Sequence, residues 1–198
     1  MSKSSFELDQ YAARKRELDE AIERSRQHTR SAQEAAGKVT LTNAQQLEVA
    51  KRLFSRTLEQ QGLRDALYSL LRKTDYRYAT LFRFDGTLNR AMVHLDRQNL
   101  AAELPQAFPI AQSYCQYVKD AARPFVTAEA AQDEATVGHA KREVFQAYCG
   151  IPILAPDGTL AGSVCYYDEE PRQLDGMHAE LLLFAATRIE ASGLLNPG

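Results

Sequence analysis

The 198-residue sequence has no apolar run approaching the roughly 18 residues that a membrane-spanning helix needs. The longest near its end is Leu181-Leu182-Leu183-Phe184-Ala185-Ala186. Its N-terminus lacks the apolar segment of a secretory signal. Both absences point to a soluble, cytoplasmic protein. Cysteine is scarce and odd in number, with three residues at Cys115, Cys149 and Cys165. That excludes a disulfide framework. No C-x-x-C pair occurs, so no zinc or iron–sulfur spacing is present. Neither sign of charge dominates: 24 Lys and Arg face 26 Asp and Glu, for a net charge of −2. A field able to hold nucleic acid or a membrane surface is therefore excluded, and aromatic and basic residues do not interleave as in nucleic-acid binders. G-x-S-x-G, P-loop and G-x-G-x-x-G sequences are missing, as is an acid pair in a defined setting, so no catalytic constellation is expected. His94 and His178 have no partner at helical spacing, and metal ligation is not expected of them. Internal repeats and low-complexity tracts are absent.

What is present is globular: 44% hydrophobic and 25% charged residues. A chain this long can bury about 70% of its unfolded surface, enough for a core without staples. At about 150 residues per domain it holds one domain and a surplus. The surplus is residues 1–37. Residues 1–36 carry seven basic and seven acidic side chains and no glycine or proline. Leu8, Tyr11, Leu18 and Ile22 fall at three- and four-residue spacings, with Lys15 interrupting the stripe. This predicts one long, mostly solvated helix ending near Gly37. Its narrow seam either packs on its own domain or pairs with a second chain.

Thr40 or Thr42 then offers an N-cap. Leu47, Ala50, Phe54, Thr57 and Leu58 line one helical face, and Leu63, Leu67, Leu70 and Leu71 another. Gln61-Gly62 makes these two helices or one kinked helix. After Asp75 the period changes to two: Tyr76, Tyr78, Thr80, Phe82 and Phe84 alternate, Asp85-Gly86 turns, and Ala91–Leu95 returns. A polar or helical stretch runs to Pro109. Ser113–Asp120 predicts a short helix with Ser113 as its cap, Pro124–Thr127 a strand, and Ala140–Tyr148 a helix. Gly150–Leu154 and Leu160–Tyr167 form a second hairpin about Pro156-Asp157-Gly158-Thr159. Asp168 is read as a turn-capping aspartate. Asp175 caps a final amphipathic helix carrying Leu181, Leu182, Phe184, Ala185 and Ile189. Hairpins at both ends with helices around them imply an antiparallel sheet in an α+β fold.

Five segments, in order, resemble one bacterial, stand-alone subgroup of the GAF domain family. They are Ser113-Tyr114-Cys115-Gln116-Tyr117-Val118, Pro124–Thr127, Val137–Glu143, Ala147-Tyr148-Cys149-Gly150-Ile151-Pro152-Ile153, and Asp157–Asp168 with Pro171-Arg172. The resemblance covers residues 40–192, with Ser163 and Val164 replacing the usual threonine and leucine; residues 193–198 form a tail. It implies a six-stranded antiparallel sheet covered by helices. It also implies a sensor of a small polar or anionic molecule, signalling through residues 6–73 and the C-terminal helix. Such proteins pair through terminal helices, so a homodimer is expected, acting alone or with another signalling protein. No cofactor is specified, because the fold does not fix the ligand.

The resemblance places Val137–Glu143 near the cover of the ligand pocket. Arg142 could fork onto a carboxylate or phosphate, or pair internally with Asp133, Asp168 or Glu169. His139 could titrate beside it. Tyr114, Tyr148 and Tyr166 are the expected pocket tyrosines, since each lies in a matching segment, although tyrosines of this kind also serve as core. Cys115 is placed with them. The three cysteines otherwise read as small hydrophobes in separate places. Two alternatives accompany the sensor. One is a GAF-type thiol enzyme that reduces free methionine sulfoxide, and the other is a ligand-free dimerisation module. Covalent bilin attachment is disfavoured because Gln116, not histidine, follows Cys115.

Overall fold

The computed structural model describes residues 3–28 and 42–195. Helix α1 runs Lys3–His28, α2 Thr42–Gln61 and α3 Leu63–Leu71. The expected boundary at Gly37 and the cap at Thr40 lie outside the described residues. Gly62, at φ 92°, separates α2 from α3 into two helices. Strands β1 (Tyr78–Asp85) and β2 (Leu88–Asp96) form the first hairpin. The two-residue β3 (Phe108–Pro109) comes out of the stretch read as polar or helical. Next are α4 (Cys115–Ala121), β4 (Phe125–Thr127), β5 (Ala147–Leu154), β6 (Leu160–Asp168) and α5 (Gly176–Ser192). The strands form one six-stranded antiparallel sheet in the order β3-β2-β1-β6-β5-β4.

Register decides what each face carries, because side chains alternate along a strand. Tyr78 of β1 lies opposite Tyr167 of β6, which lies opposite Tyr148 of β5. Thr80 lies opposite both His94 and Cys165. These residues share one face. Ala79, Leu81, Leu95, Val164, Tyr166, Cys149 and Ile151 take the other and join the main core. That core is closed by α2, α3 and α5 through Phe54, Leu67, Leu70, Leu182, Ala186 and Ile189. Both hairpin turns form as the sequence indicates, with Gly86 at φ 60° and Asp157 accepting from the Thr159 amide at 2.9 Å.

The seam of α1 packs on its own chain. Leu18, Ala21 and Ile22 are buried in the main core. Arg14 reaches across to Glu190 of α5 and to the carbonyl of Pro152, both at 2.6 Å. Lys15 is no interruption. It lies 2.9 Å from Asp19 and 3.5 Å from Glu180, which also holds Lys51 at 2.9 Å.

Three local expectations are corrected. Residues 140–146 form hydrogen-bonded turns, not a helix. The amides of Val144 and Phe145 both return to the Lys141 carbonyl. Propagation then stops because the Gln146 amide donates to Asp168 and continues the β5–β6 ladder. Ser113 does not cap α4: the N-cap position is Tyr114, with no side-chain bond. The Ser113 hydroxyl is committed elsewhere, donating to Ile110 and accepting from Asn89. Tyr76 leaves the strand alternation and packs against Tyr166 in the main core. Asp168 closes its turn through the Glu170 amide, and also accepts from the Arg77 amide and from Arg172, each at 2.9 Å.

Candidate functional site

The second face of the sheet is covered by α4 and by the turns that precede β5. Between them lies a cavity of about 340 Å³. Its floor is Tyr78, Phe82, Tyr148, Cys165 and Tyr167 from the strands, with His94 from β2. Ser113, Tyr114 and Cys115 close one side. Phe145 and Lys141 close another, and Pro105 and Phe108 form the remaining edge. Aromatic rings make most of this wall. Tyr78 stacks on Tyr167 at 4.7 Å between centroids and on His94 at 5.9 Å. Phe145 meets Tyr167 edge-on at 5.1 Å. Flat rings of this kind suit a planar ligand.

Polar groups are few and placed. Thr80 Oγ1 lies 2.9 Å from His94 Nδ1 and 3.3 Å from Tyr167 Oη. Burial lowers the His94 pKa, Asp96 opposing, so the ring is neutral near pH 7. Lys141 is the cation on the wall. Arg142, its neighbour, faces away. Its Nε donates to the Ala130 carbonyl at 3.0 Å and to Thr136 Oγ1 at 3.3 Å, and its Nη2 to the Ala131 carbonyl at 2.5 Å. The acceptors are thus loop carbonyls, not the carboxylates of Asp133, Asp168 or Glu169.

The structure brings Tyr114, Cys115 and Tyr148 together at the cavity. Tyr114 donates from its hydroxyl to the Phe145 carbonyl at 2.9 Å and ties α4 to the covering turns. Burial raises its pKa. His139 lies behind Tyr114, 4.6 Å between ring centroids, and accepts the Lys141 amide at Nδ1. Its pKa is lowered by burial first of all. Tyr166 is on the opposite face, in the main core, with a hydroxyl that has no hydrogen-bond partner. The reason is register: Tyr166 pairs with Cys149, and Tyr167 with Tyr148.

All three cysteines are buried among hydrophobic residues, as small hydrophobes would be, but two of them are not separate. Cys115 and Cys165 share the cavity wall, while Cys149 is buried in the main core on the other face. Tyr148 Oη and Ser163 Oγ each donate to Cys115 Sγ at 3.4 Å. Burial would raise the Cys115 pKa, but the polar groups around its sulfur, the donors Ser163 and Tyr148 among them, outweigh it and lower it. The Cys165 thiol, which donates to the Thr80 carbonyl at 3.6 Å, is pushed up by burial first and then by its neighbour Cys115. Gly150 makes room for this arrangement. A Cβ there would stand 2.2 Å from Tyr148 Oη, so only glycine lets the ring lie along β5 toward Cys115.

Sequence reasoning sees Lys141 in a basic cluster with His139 and Arg142 but does not select it, and it misses His94, Phe145, Tyr167 and the meeting of Cys115 with Cys165. The two hairpin turns carry the signal for His94 and Tyr167, since the first sets the register that aligns His94 with Thr80 and the second the register that aligns Tyr167 with Tyr148. The cover turns carry none. Among the described residues, no group of three or more His, Cys, Asp and Glu side chains could hold a metal ion. Nor is any described helix long and apolar enough to cross a membrane.

No model of a known protein family matches the chain, and no curated protein matches it. Solved structures do. One is the GAF domain of a phosphoenolpyruvate-protein phosphotransferase from Acinetobacter, with TM-score 0.62 and 9% identity over 75% of this chain and 93% of that one. A second is the chromophore-binding domain of a bacteriophytochrome from R. palustris, with TM-score 0.62 and 11% identity over 81% of this chain and 64% of that one. A third is free methionine-R-sulfoxide reductase from Neisseria meningitidis, solved with its substrate, with TM-score 0.59 and 13% identity over 81% and 95%. At these identities the likeness is one of fold. The chain has the GAF fold.

Proposed function

We propose that this GAF-fold protein is a small-molecule sensor that takes a planar, polar or anionic ligand into the cavity over Tyr78, Tyr148 and Tyr167. The observation that supports it is the cavity itself: aromatic walls, few polar groups and one cation, Lys141, on its lining. A compact body would lie against the rings, and a carboxylate or similar group would meet Lys141. Arg142, expected to read the anion, serves instead to brace the loop at Ala130 and Ala131.

Transmission would run through the sheet, because the strands that carry the cavity on one face carry α1, α3 and α5 on the other, with α2 packed on α3 and α5. Binding would shift the helices only as far as the ligand prefers one arrangement over another. Since α1 spends its seam on its own chain, a homodimer would have to use another surface. Val49 and Leu53 of α2, one turn apart and 65% and 45% exposed, offer one. The protein would act in the cytoplasm, alone or with another signalling protein. Thermal-shift screening against planar carboxylates and phosphates tests the reading. Hits should stabilise the wild type and not the Lys141→Ala variant. Shifts that survive Lys141→Ala unchanged would reject Lys141 as the anion contact.

A second reading, a thiol reductase of small sulfoxides, is favoured by Cys115 and Cys165 sharing one cavity. Methionine sulfoxide should then be turned over with a dithiol reductant. Turnover that survives joint replacement of all three cysteines by serine would remove it.

A further inference from the structure

Cys115 opens α4 and Cys165 lies in the middle of β6, yet both line one cavity and pack in one buried cluster, the Cys165 thiol donating to the Thr80 carbonyl at 3.6 Å. Two hydroxyls, of Tyr148 and Ser163, converge on the Cys115 sulfur. A neutral thiol is a weak acceptor, whereas a thiolate rewards every donor aimed at it. The site is therefore arranged for Cys115 as an anion with Cys165 as its neighbour in reserve. Both side chains have almost no outer surface, at 1% and 0% exposure, and their opening is the cavity they line. A small neutral oxidant fits that route. Cys149 has neither the donors nor the cavity.

We propose that Cys115 and Cys165 form a redox-responsive dithiol, oxidised to an intramolecular disulfide by small hydroperoxides that enter the cavity. The Cys115 thiolate attacks a peroxide oxygen. A sulfur–oxygen bond forms, the oxygen–oxygen bond breaks, and the leaving alkoxide or hydroxide takes a proton. Cys115 is now a sulfenic acid, oxidised by two electrons. Cys165 then attacks the Cys115 sulfur, its proton leaves with the hydroxyl as water, and the disulfide closes. The sum is two thiols and one hydroperoxide giving one disulfide, one alcohol or water, and one further water. Once bonded, the Cys115 sulfur no longer accepts strongly from Tyr148 and Ser163. Tyr148, a wall of the cavity, must find another partner. Oxidation thereby changes the cavity without any bound ligand or sulfoxide turnover; it is independent of the sensor reading and shares only its pair of cysteines with the reductase reading.

The test uses the reduced full chain, hydrogen peroxide, thiol titration in denaturant, intact mass and peptide mapping. Of the three free cysteines, two should disappear, the mass should fall by two hydrogens, and the linked peptides should hold Cys115 and Cys165. Dithiothreitol should restore them. The Cys149→Ser variant should behave like wild type. The Cys165→Ala variant should stop at a sulfenic acid on Cys115 that dimedone traps. Tyr148→Phe keeps the ring and loses the donor, so it should slow oxidation roughly tenfold and move the pH–rate midpoint upward. Three thiols surviving peroxide in folded protein would overturn the proposal. So would a disulfide to Cys149 or between two chains, or Cys165→Ala losing thiols in pairs as wild type does.

Discussion

Lys141 and Arg142 are adjacent and carry the same charge, but Lys141 lines the cavity and Arg142 is bonded to loop carbonyls. A sequence shows that a basic cluster is present, but not which member turns inward. That is settled by the carbonyls of Ala130 and Ala131, which a guanidinium reaches with two donors at once. Arg142→Ala should therefore act on stability, lowering it by about 1–3 kcal/mol in chemical denaturation, from the loss of its charged hydrogen bonds to Ala130 and Ala131. The same register argument that lost Tyr166 to the core brought Tyr167 to the cavity. Neighbouring tyrosines in one strand cannot both face a ligand, and only the pairing partner tells which does. Gly150 belongs to this scale too. Gly150→Ala should displace the Tyr148 ring from Cys115 and destabilise by about 1–3 kcal/mol through overpacking. The check is the melting temperature together with the rate of Cys115 alkylation, which should change in the same variant.

At the scale of elements, most of the fold was legible. Period two with Asp-Gly turns marked both long hairpins, and Asp175 marked the start of α5, where it accepts the His178 amide at 2.8 Å. Less legible were β3, only two residues long, and the cover over residues 140–146. There the pattern looks helical, and only the long-range bond from Gln146 to Asp168 ends it. The α1 seam was ambiguous because Lys15 sat in its path, and the ambiguity disappears once Glu180 and Asp19 are seen beside it. Leu18 is 1% exposed. Leu18→Ala should cost about 2–5 kcal/mol, as for a core leucine. A loss below about 0.5 kcal/mol, as at a surface position, would mean that α1 is not docked in solution.

For the whole molecule, two half-buried imidazoles link stability to pH. His94 and His139 both have their pKa lowered, with burial as the first cause. In the unfolded chain each would bind a proton at an ordinary value near 6.5. Stability from keeping them neutral is thus fully present above that value and is lost as pH falls toward the folded values. The melting temperature should drop on acidification from about pH 6.5, and less so in His94→Phe, in addition to any carboxylate effect at lower pH. A melting temperature flat across that range would show that neither ring is held neutral.

The central claim is that the cavity of about 340 Å³ holds a small molecule. Native mass spectrometry of freshly purified protein tests it most directly, because it weighs bound ligand and oligomer together. The expected result is a non-covalent adduct on the wild type, kept by Arg142→Ala and lost by Lys141→Ala. Wild-type protein that carries no adduct, and gains none from a panel of planar anions, would contradict the account.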